Sequence, residues 1–148
     1  MHAVVFAYHD VGLNCLNALL TAGIQVDLVV THQDDPNENV WFGSVAKFCQ
    51  EKSIPYITPS ATELVDLAPK LQALSPDYIF SFYYRYMIPA QILACARIAA
   101  LNMHGSLLPK YRGRAPVNWA ILHGETQTGA TLHTVSYTHL TLPTTPYV

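Results

Sequence analysis

The sequence predicts an α/β fold: a doubly wound, mostly parallel sheet with helices on both faces. Three observations predict it. Short apolar runs rich in Val, Ile, Phe and Tyr recur along the chain, and helix-like segments punctuated by Gly or Pro separate them. Hydrophobic residues make up 51% of the 148 positions and charged ones only 12%, a composition that buries a core and excludes disorder. Repeated strand-helix-strand order requires right-handed crossovers, and these lay helices on both sides of a parallel sheet. The length suits one domain.

The first strand is expected from Ala3 to Tyr8, followed by a helix from Val11 to Ala22 that Gly23 closes. A second strand runs from Val26 to His32. The polar stretch DDPNEN then leads into a helix from Phe42 to Lys52. Pro55 to Thr58 forms a short strand, and Thr62 to Leu74 a helix stopped by Ser75-Pro76. Tyr78 to Tyr84 is the fourth strand, Pro89 to Ala96 a helix, and Ala99 to His104 the fifth strand. Pro116 opens the next helix, at a position where its missing N–H costs nothing. From Val135 the chain reads VSYTHLTLPTTPYV, without acid, base, glycine or helical period.

Charge narrows the partners. Eight Lys plus Arg stand against ten Asp plus Glu, a net charge of −2. The single basic cluster, Lys110, Arg112 and Arg114, suits a small anion better than a nucleic acid, so no nucleic-acid partner is expected. No apolar run reaches the ~20 residues that span a bilayer, so no membrane insertion is expected either. Cys15, Cys49 and Cys95 are scattered without metal-ligand spacing and read as reduced, buried thiols of a cytoplasmic protein. No HExxH pair occurs, and no metal site is expected.

In such folds ligands bind beyond the carboxyl ends of the strands, here near His9, His32, Tyr84 and Asn102. The first of these loops, His9-Asp10-Val11-Gly12, has one glycine where a dinucleotide fingerprint needs three, and no P-loop pattern occurs. Asn102 and His104 are two apart at a strand end, so both side chains leave on one face. An amide can donate to an oxygen that becomes negative, and an imidazole passes protons near neutrality, a combination suited to acyl transfer. A polar strand end that satisfies its own turn has the same spacing, and both readings stand at this level. Arg114 can fork onto a carboxylate or phosphate, while Lys110 and Arg112 equally suit a solvated face. His9 and His32 read as solvated loop residues, His123 and His133 as residues without a ligating partner, and Trp119 as core. Tyr83 and Tyr84 should alternate faces, so that one at most reaches the cleft.

Read through, NMHGSLLPKYRGRAPVNWAILHGETQTGATLH resembles the folate-dependent formyltransferase family, in which Asn-x-His, Ser-Leu-Leu-Pro and Tyr-Arg-Gly-x-x-Pro follow in this order. The resemblance implies a Rossmann-like N-terminal domain and 10-formyltetrahydrofolate as formyl donor. It implies that Asn102 stabilises the tetrahedral oxyanion, that His104 is the general acid and base, and that Ser106-Leu107-Leu108-Pro109 walls the site. VVFAYHDVG, GSVAKF, FSFYYRYMI and GSLLPKYRGRAP are similar to a narrower branch, which formylates UDP-4-amino-4-deoxy-L-arabinose in lipid A modification and polymyxin resistance. This likeness implies that Tyr86, Met87 and Ile88, with Ser106, Leu107, Pro109 and Arg114, bind folate, and that a UDP-aminosugar is the acceptor. Two other readings are a methionyl-tRNA formyltransferase, with initiator tRNA as partner, and a catalytically silent folate- or nucleotide-binding module.

The family places a catalytic Asp a few residues after the segment matching Thr131-Leu132-His133, about where Leu140 stands, and no acid follows Glu125. Residues 1–134 are therefore expected to be a partial formyltransferase N-terminal domain, incomplete at its C-terminus. Residues 135–148 are expected to be a non-native tail similar to a translated sequencing adaptor, and the 148-residue chain is expected to be inactive. The resemblance leaves open a downstream decarboxylase domain and homo-oligomeric assembly in the intact parent.

Overall fold

The computed structural model describes residues 1–34, 43–113 and 115–135. Among these residues six strands form one sheet: β1 (His2–Ala7), β2 (Gln25–Val30), β3 (Tyr56–Ile57), β4 (Tyr78–Phe82), β5 (Ala99–His104) and β6 (Thr131–Thr134). Their spatial order is β3-β2-β1-β4-β5-β6. All neighbours pair in parallel except β6, which runs antiparallel to β5. Among the described residues, five α-helices accompany them: α1 (His9–Thr21), α2 (Val45–Lys52), α3 (Ala68–Leu74), α4 (Ala90–Leu93) and α5 (Pro116–Leu122). The doubly wound, mostly parallel α/β class is thus observed. The expected residues DDPNEN beyond Asp34, Phe42 at the head of α2, Arg114, Leu140 and the tail from residue 136 lie outside the described residues.

Alternation along β1 divides the core in two. Val4 and Phe6 join Leu28, Val30, Leu71, Ile79 and Ile92 under α3 and α4. Ala3, Val5 and Ala7 face the other way, with Leu16, Val29, Val45, Cys49 and Phe80 under α1 and α2. A strand with both faces covered reads as a continuous apolar run, which is why Ala3 to Phe6 was legible. Burial of the Cys49 thiol raises its pKa to about 11, so it behaves as an inert small hydrophobe; Cys15 and Cys95 are half-buried and likewise free.

Local chemistry sets the element ends. Gly23 takes φ +85° after α1, and Ser53 and Ser75 take left-handed conformations after α2 and α3. The helix expected from Thr62 to Leu74 is divided: Leu64–Leu67 is a 3₁₀ turn and α3 starts at Ala68. Pro69, without an N–H, cannot continue the α ladder back into the preceding turn. Ser60 and Glu63 open this segment as a capping box. The Glu63 carboxylate accepts from the Ser60 N–H at 3.0 Å and the Ser60 hydroxyl from the Glu63 N–H at 3.3 Å. At the amino end of the sheet the Asp77 carboxylate accepts from the His2 N–H at 3.0 Å and from Arg97 at 2.8 Å, tying together the starts of β1, β4 and β5. Among the described residues, no helix is long and apolar enough to cross a membrane.

Gly12 sits where α1 crosses the end of β1. A Cβ there would lie 3.1 Å from the Ala7 Cβ, 3.2 Å from the Ala7 carbonyl carbon and 3.2 Å from the Phe82 oxygen. Gly12→Val should therefore destabilise the fold by about 1–3 kcal/mol through overpacking. Urea denaturation should show a lower midpoint with an unchanged m-value.

Candidate active site

The chain leaves β1 toward β2 and β3 on one side and returns to β4 and β5 on the other, so the loops after β1 and β4 part at the carboxyl edge. Crevices of doubly wound sheets open at this switch point. Three loops close against one another there. The His9 ring lies 5.9 Å from that of Tyr83, and a Cβ on Gly105 would meet the Tyr83 hydroxyl at 3.0 Å. Gly105 thus lets the segment after β5 approach the one after β4.

Asn102 and His104 lie two apart on β5, both half-buried. The antiparallel register sets His133 of β6 directly opposite Asn102. His133 donates from Nδ1 to the Thr134 carbonyl at 2.9 Å, so its Nε2 accepts from the Asn102 amide at 3.2 Å. One amide N–H of Asn102 is engaged in this way, and the other has no partner among the described residues. His104 donates from Nε2 to the Tyr111 carbonyl at 2.7 Å, which leaves the lone pair on Nδ1. The rings of His104 and His133 stand 6.4 Å apart, edge to face.

The loop after β5 is held from outside. Thr131 donates to the Ser106 carbonyl at 2.7 Å and accepts from the Leu108 N–H at 3.1 Å. Tyr111 donates to Glu125 at 2.7 Å, and Lys110 lies 3.7 Å from the same oxygen. The Tyr111 hydrogen bond, then the Lys110 charge, hold the Glu125 carboxyl below its usual range. Ser106 is fully buried, with its hydroxyl donating to the Lys110 carbonyl, so it tightens the turn, whereas Leu107 and Pro109 are exposed. Lys110 is thus paired with Glu125 rather than simply solvated. Trp119 is half-buried and stacks on His123 with ring centroids 6.0 Å apart.

The turn after β4 departs from simple alternation, because β4 ends at Phe82 and Tyr83 adopts φ +59°. Tyr84 packs against the core cluster under α3 and α4 while Tyr83 stays on the crevice side. Tyr86 and Met87 are exposed, and Ile88 is buried at 5%.

His32 corrects the expectation of a solvated loop residue. It is 8% exposed and accepts from the Arg85 N–H through Nε2 at 2.9 Å. Its ring stacks on Tyr84 at 4.3 Å and meets Tyr8 and Tyr86 edge-on at 4.9 and 4.6 Å. Burial, aided by the Arg85 charge, lowers its pKa to about 4. His9 is half-buried rather than solvated. A cavity of about 420 Å³ lies beside this cluster, lined by His32, Thr58, Ser60, Glu63, Arg85 and Tyr86. Among the described residues, no group of three His, Cys, Asp or Glu could hold a metal ion.

A mostly parallel sheet with a crevice at its switch point, and an amide and an imidazole sharing one strand face beside it, mark an α/β domain of the doubly wound class. The chain belongs to the formyl transferase family, whose match covers residues 2–139. Solved structures share the fold. Glycinamide ribonucleotide transformylase 1 from Symbiobacterium toebii is 22% identical with a TM-score of 0.72, over 92% of this chain and 66% of that one. WlaRD, a sugar 3N-formyl transferase solved with dTDP and 5-N-formyl-THF, is 22% identical with a TM-score of 0.64, over 92% and 46%. A formyltetrahydrofolate deformylase from Pseudomonas syringae pv. tomato str. DC3000 is 18% identical with a TM-score of 0.71, over 91% and 45%. The chain therefore spans 66% of the first relative and less than half of the other two.

Sequence reasoning missed His133 and His32 as site-building residues. The alternation of Thr131-Leu132-His133-Thr134 after Gly129 is a strand signal, but only the antiparallel register shows that His133 faces Asn102.

His32 stays neutral in the fold down to about pH 4, whereas an unfolded histidine takes up its proton near 6.5. Between these values the unfolded chain binds more protons, so the contribution of His32 to stability is fully present above about pH 6.5 and is lost as the pH falls toward 4. Urea midpoints at pH 7 and 5, with an NMR titration of His32, check this. The same spectra should show His104 as the Nε2–H tautomer and His133 as the Nδ1–H tautomer.

Proposed function

We propose that the full-length protein transfers a formyl group from 10-formyltetrahydrofolate to the amine of UDP-4-amino-4-deoxy-L-arabinose, as the formyltransferase domain of ArnA does in lipid A modification and polymyxin resistance. The observation that carries the reading is the placement of Asn102 and His104 on one face of β5, with one donor of Asn102 fixed by His133. A fixed amide plane aims its second N–H at one point, and a donor that need not reorganise is effective against developing charge. The donor molecule supplies the formyl carbon. Asn102 meets the oxygen that gains negative charge as the amine attacks the formyl carbon, and His104 takes the amine proton through Nδ1 and passes it to N10 of the folate as the formyl C–N10 bond breaks, releasing tetrahydrofolate.

Folate fits the turn between β4 and α4 on chemical grounds. Tyr86 and Met87 expose apolar surface and Ile88 anchors it from below, which suits a flat heterocycle flanked by backbone donors and acceptors. Leu107 and Pro109, exposed on the loop after β5, supply further apolar surface for the folate, and Ser106 contributes by shaping that turn. Arg114 pairs with an anionic group of folate or sugar nucleotide. The aromatic segment Phe82-Tyr83-Tyr84-Arg85-Tyr86 and the net charge of −2 favour a sugar nucleotide over tRNA as acceptor.

The same reading makes the 148-residue chain inactive. The Tyr111 carbonyl orients His104 but carries no full charge to stabilise its imidazolium, and no Asp or Glu side chain follows Glu125 in the sequence. Loss of an orienting Asp lowers kcat by about 10⁴ in the serine-protease precedent.

In the full-length protein, Asn102→Ala should lower kcat by about 10²–10³, the range for a lost oxyanion donor, while folate binding survives. His104→Ala should likewise lower kcat strongly. Turnover of UDP-4-amino-4-deoxy-L-arabinose should exceed that of charged initiator tRNA. Near-normal turnover by either variant would remove the mechanism, and preference for the tRNA would remove the acceptor assignment. Formyl transfer by the 148-residue chain above the buffer rate would remove the requirement for a further carboxylate.

A further inference from the structure

We propose that His32, at the end of β2, is a positioning residue for the folate-facing turn 85–88. The inference rests on the assignment of Tyr86, Met87 and Ile88 to the folate site. Tyr83 takes a left-handed conformation directly after β4, so the chain leaves the sheet sharply and the following backbone has no ladder partner. The Arg85 N–H finds its acceptor 53 residues away, in Nε2 of His32 at 2.9 Å. The imidazole is held on three sides, stacked on Tyr84 and edge-on to Tyr8 and Tyr86. The Arg85 guanidinium lies 4.7 Å over the Tyr8 ring, so the side chain of the same residue is drawn to the same cluster. At the far end of the turn, Ile88 is buried in the core. Tyr86 and Met87 are thereby suspended between two fixed points, one a hydrogen bond to His32 in the segment after β2 and the other an apolar plug.

The role requires a hydrogen-bond acceptor at position 32. Phenylalanine would keep the ring contacts and leave the Arg85 N–H without a partner, whereas glutamine can return an acceptor. The test uses full-length protein, with 5-formyltetrahydrofolate as binding probe and amide hydrogen exchange at Arg85. His32→Phe should remove protection of the Arg85 amide and raise both the dissociation constant of the probe and KM for the formyl donor. The expected rise is about tenfold, the scale of one lost buried hydrogen bond. kcat should change far less, because His32 does not touch the reacting groups. His32→Gln should restore most of the affinity and the protection.

Unchanged Arg85 protection in folded His32→Phe would overturn the role of His32 in holding the turn. Lost protection with unchanged affinity for the probe, or a fall in kcat at constant KM, would overturn its role in folate binding. If His32→Phe does not fold, His32→Gln decides alone: it must keep Arg85 protected and bind the probe within a few-fold of the wild type, and failure on either count overturns the proposal. Wild-type protein that does not bind the probe would instead refute the folate assignment itself, with the exchange data reporting separately on the turn.

Discussion

Burial of β1 on both faces is the constraint from which the other placements follow. Ala3 through Ala7 have no exposed surface, and their backbone groups pair with β2 on one side and β4 on the other. A strand so enclosed needs a helix layer above and below it, and the chain supplies α1 and α2 to one face and α3 and α4 to the other. Covering both faces obliges the chain to wind outward in one direction, return, and wind outward in the other. The point of return is the crevice, so the position of the chemistry is a consequence of how the core is closed.

The site itself is built by pairing rather than by sequence proximity. Asn102 and His104 share a face because they are two apart on a strand, but what fixes each of them comes from elsewhere: His133 from β6 for the amide, the Tyr111 carbonyl for the imidazole. Those two supports are themselves linked, since Thr131 of β6 holds the loop that carries Tyr111. The antiparallel strand is therefore the frame of the reacting pair, and the loop after β5 is a strap stretched across it.

Much of the fold was legible because its signals are local. Gly23, Ser75-Pro76 and the apolar runs mark helix ends and strands through their own conformational preferences, and β5 is observed from Ala99 to His104 as read. The expectations fail where a local breaker interrupts a regular pattern or where a distant partner decides. The helix over 62–74 was read as continuous although Pro69 divides it. Strand β4 stops at Phe82, not Tyr84, because Tyr83 turns left-handed, and the simple face alternation of the two tyrosines ends with it. His32 read as solvated because no residue near it in sequence announces the aromatic cage that Tyr8, Tyr84 and Tyr86 build around it. For the site, the Asn-x-His spacing was visible, while His133 and the Tyr111 carbonyl required the register of β5 against β6.

The clamp at Asp77 gives the molecule a front and a back. It gathers the starts of β1, β4 and β5 at the edge opposite the crevice, and the six residues of β1 separate the two edges by about 20 Å. Met1 emerges on the clamped side, with its carbonyl already bonded to Gln25. A dye or surface linker attached at Met1 would therefore leave the crevice facing away from the support and open to incoming molecules.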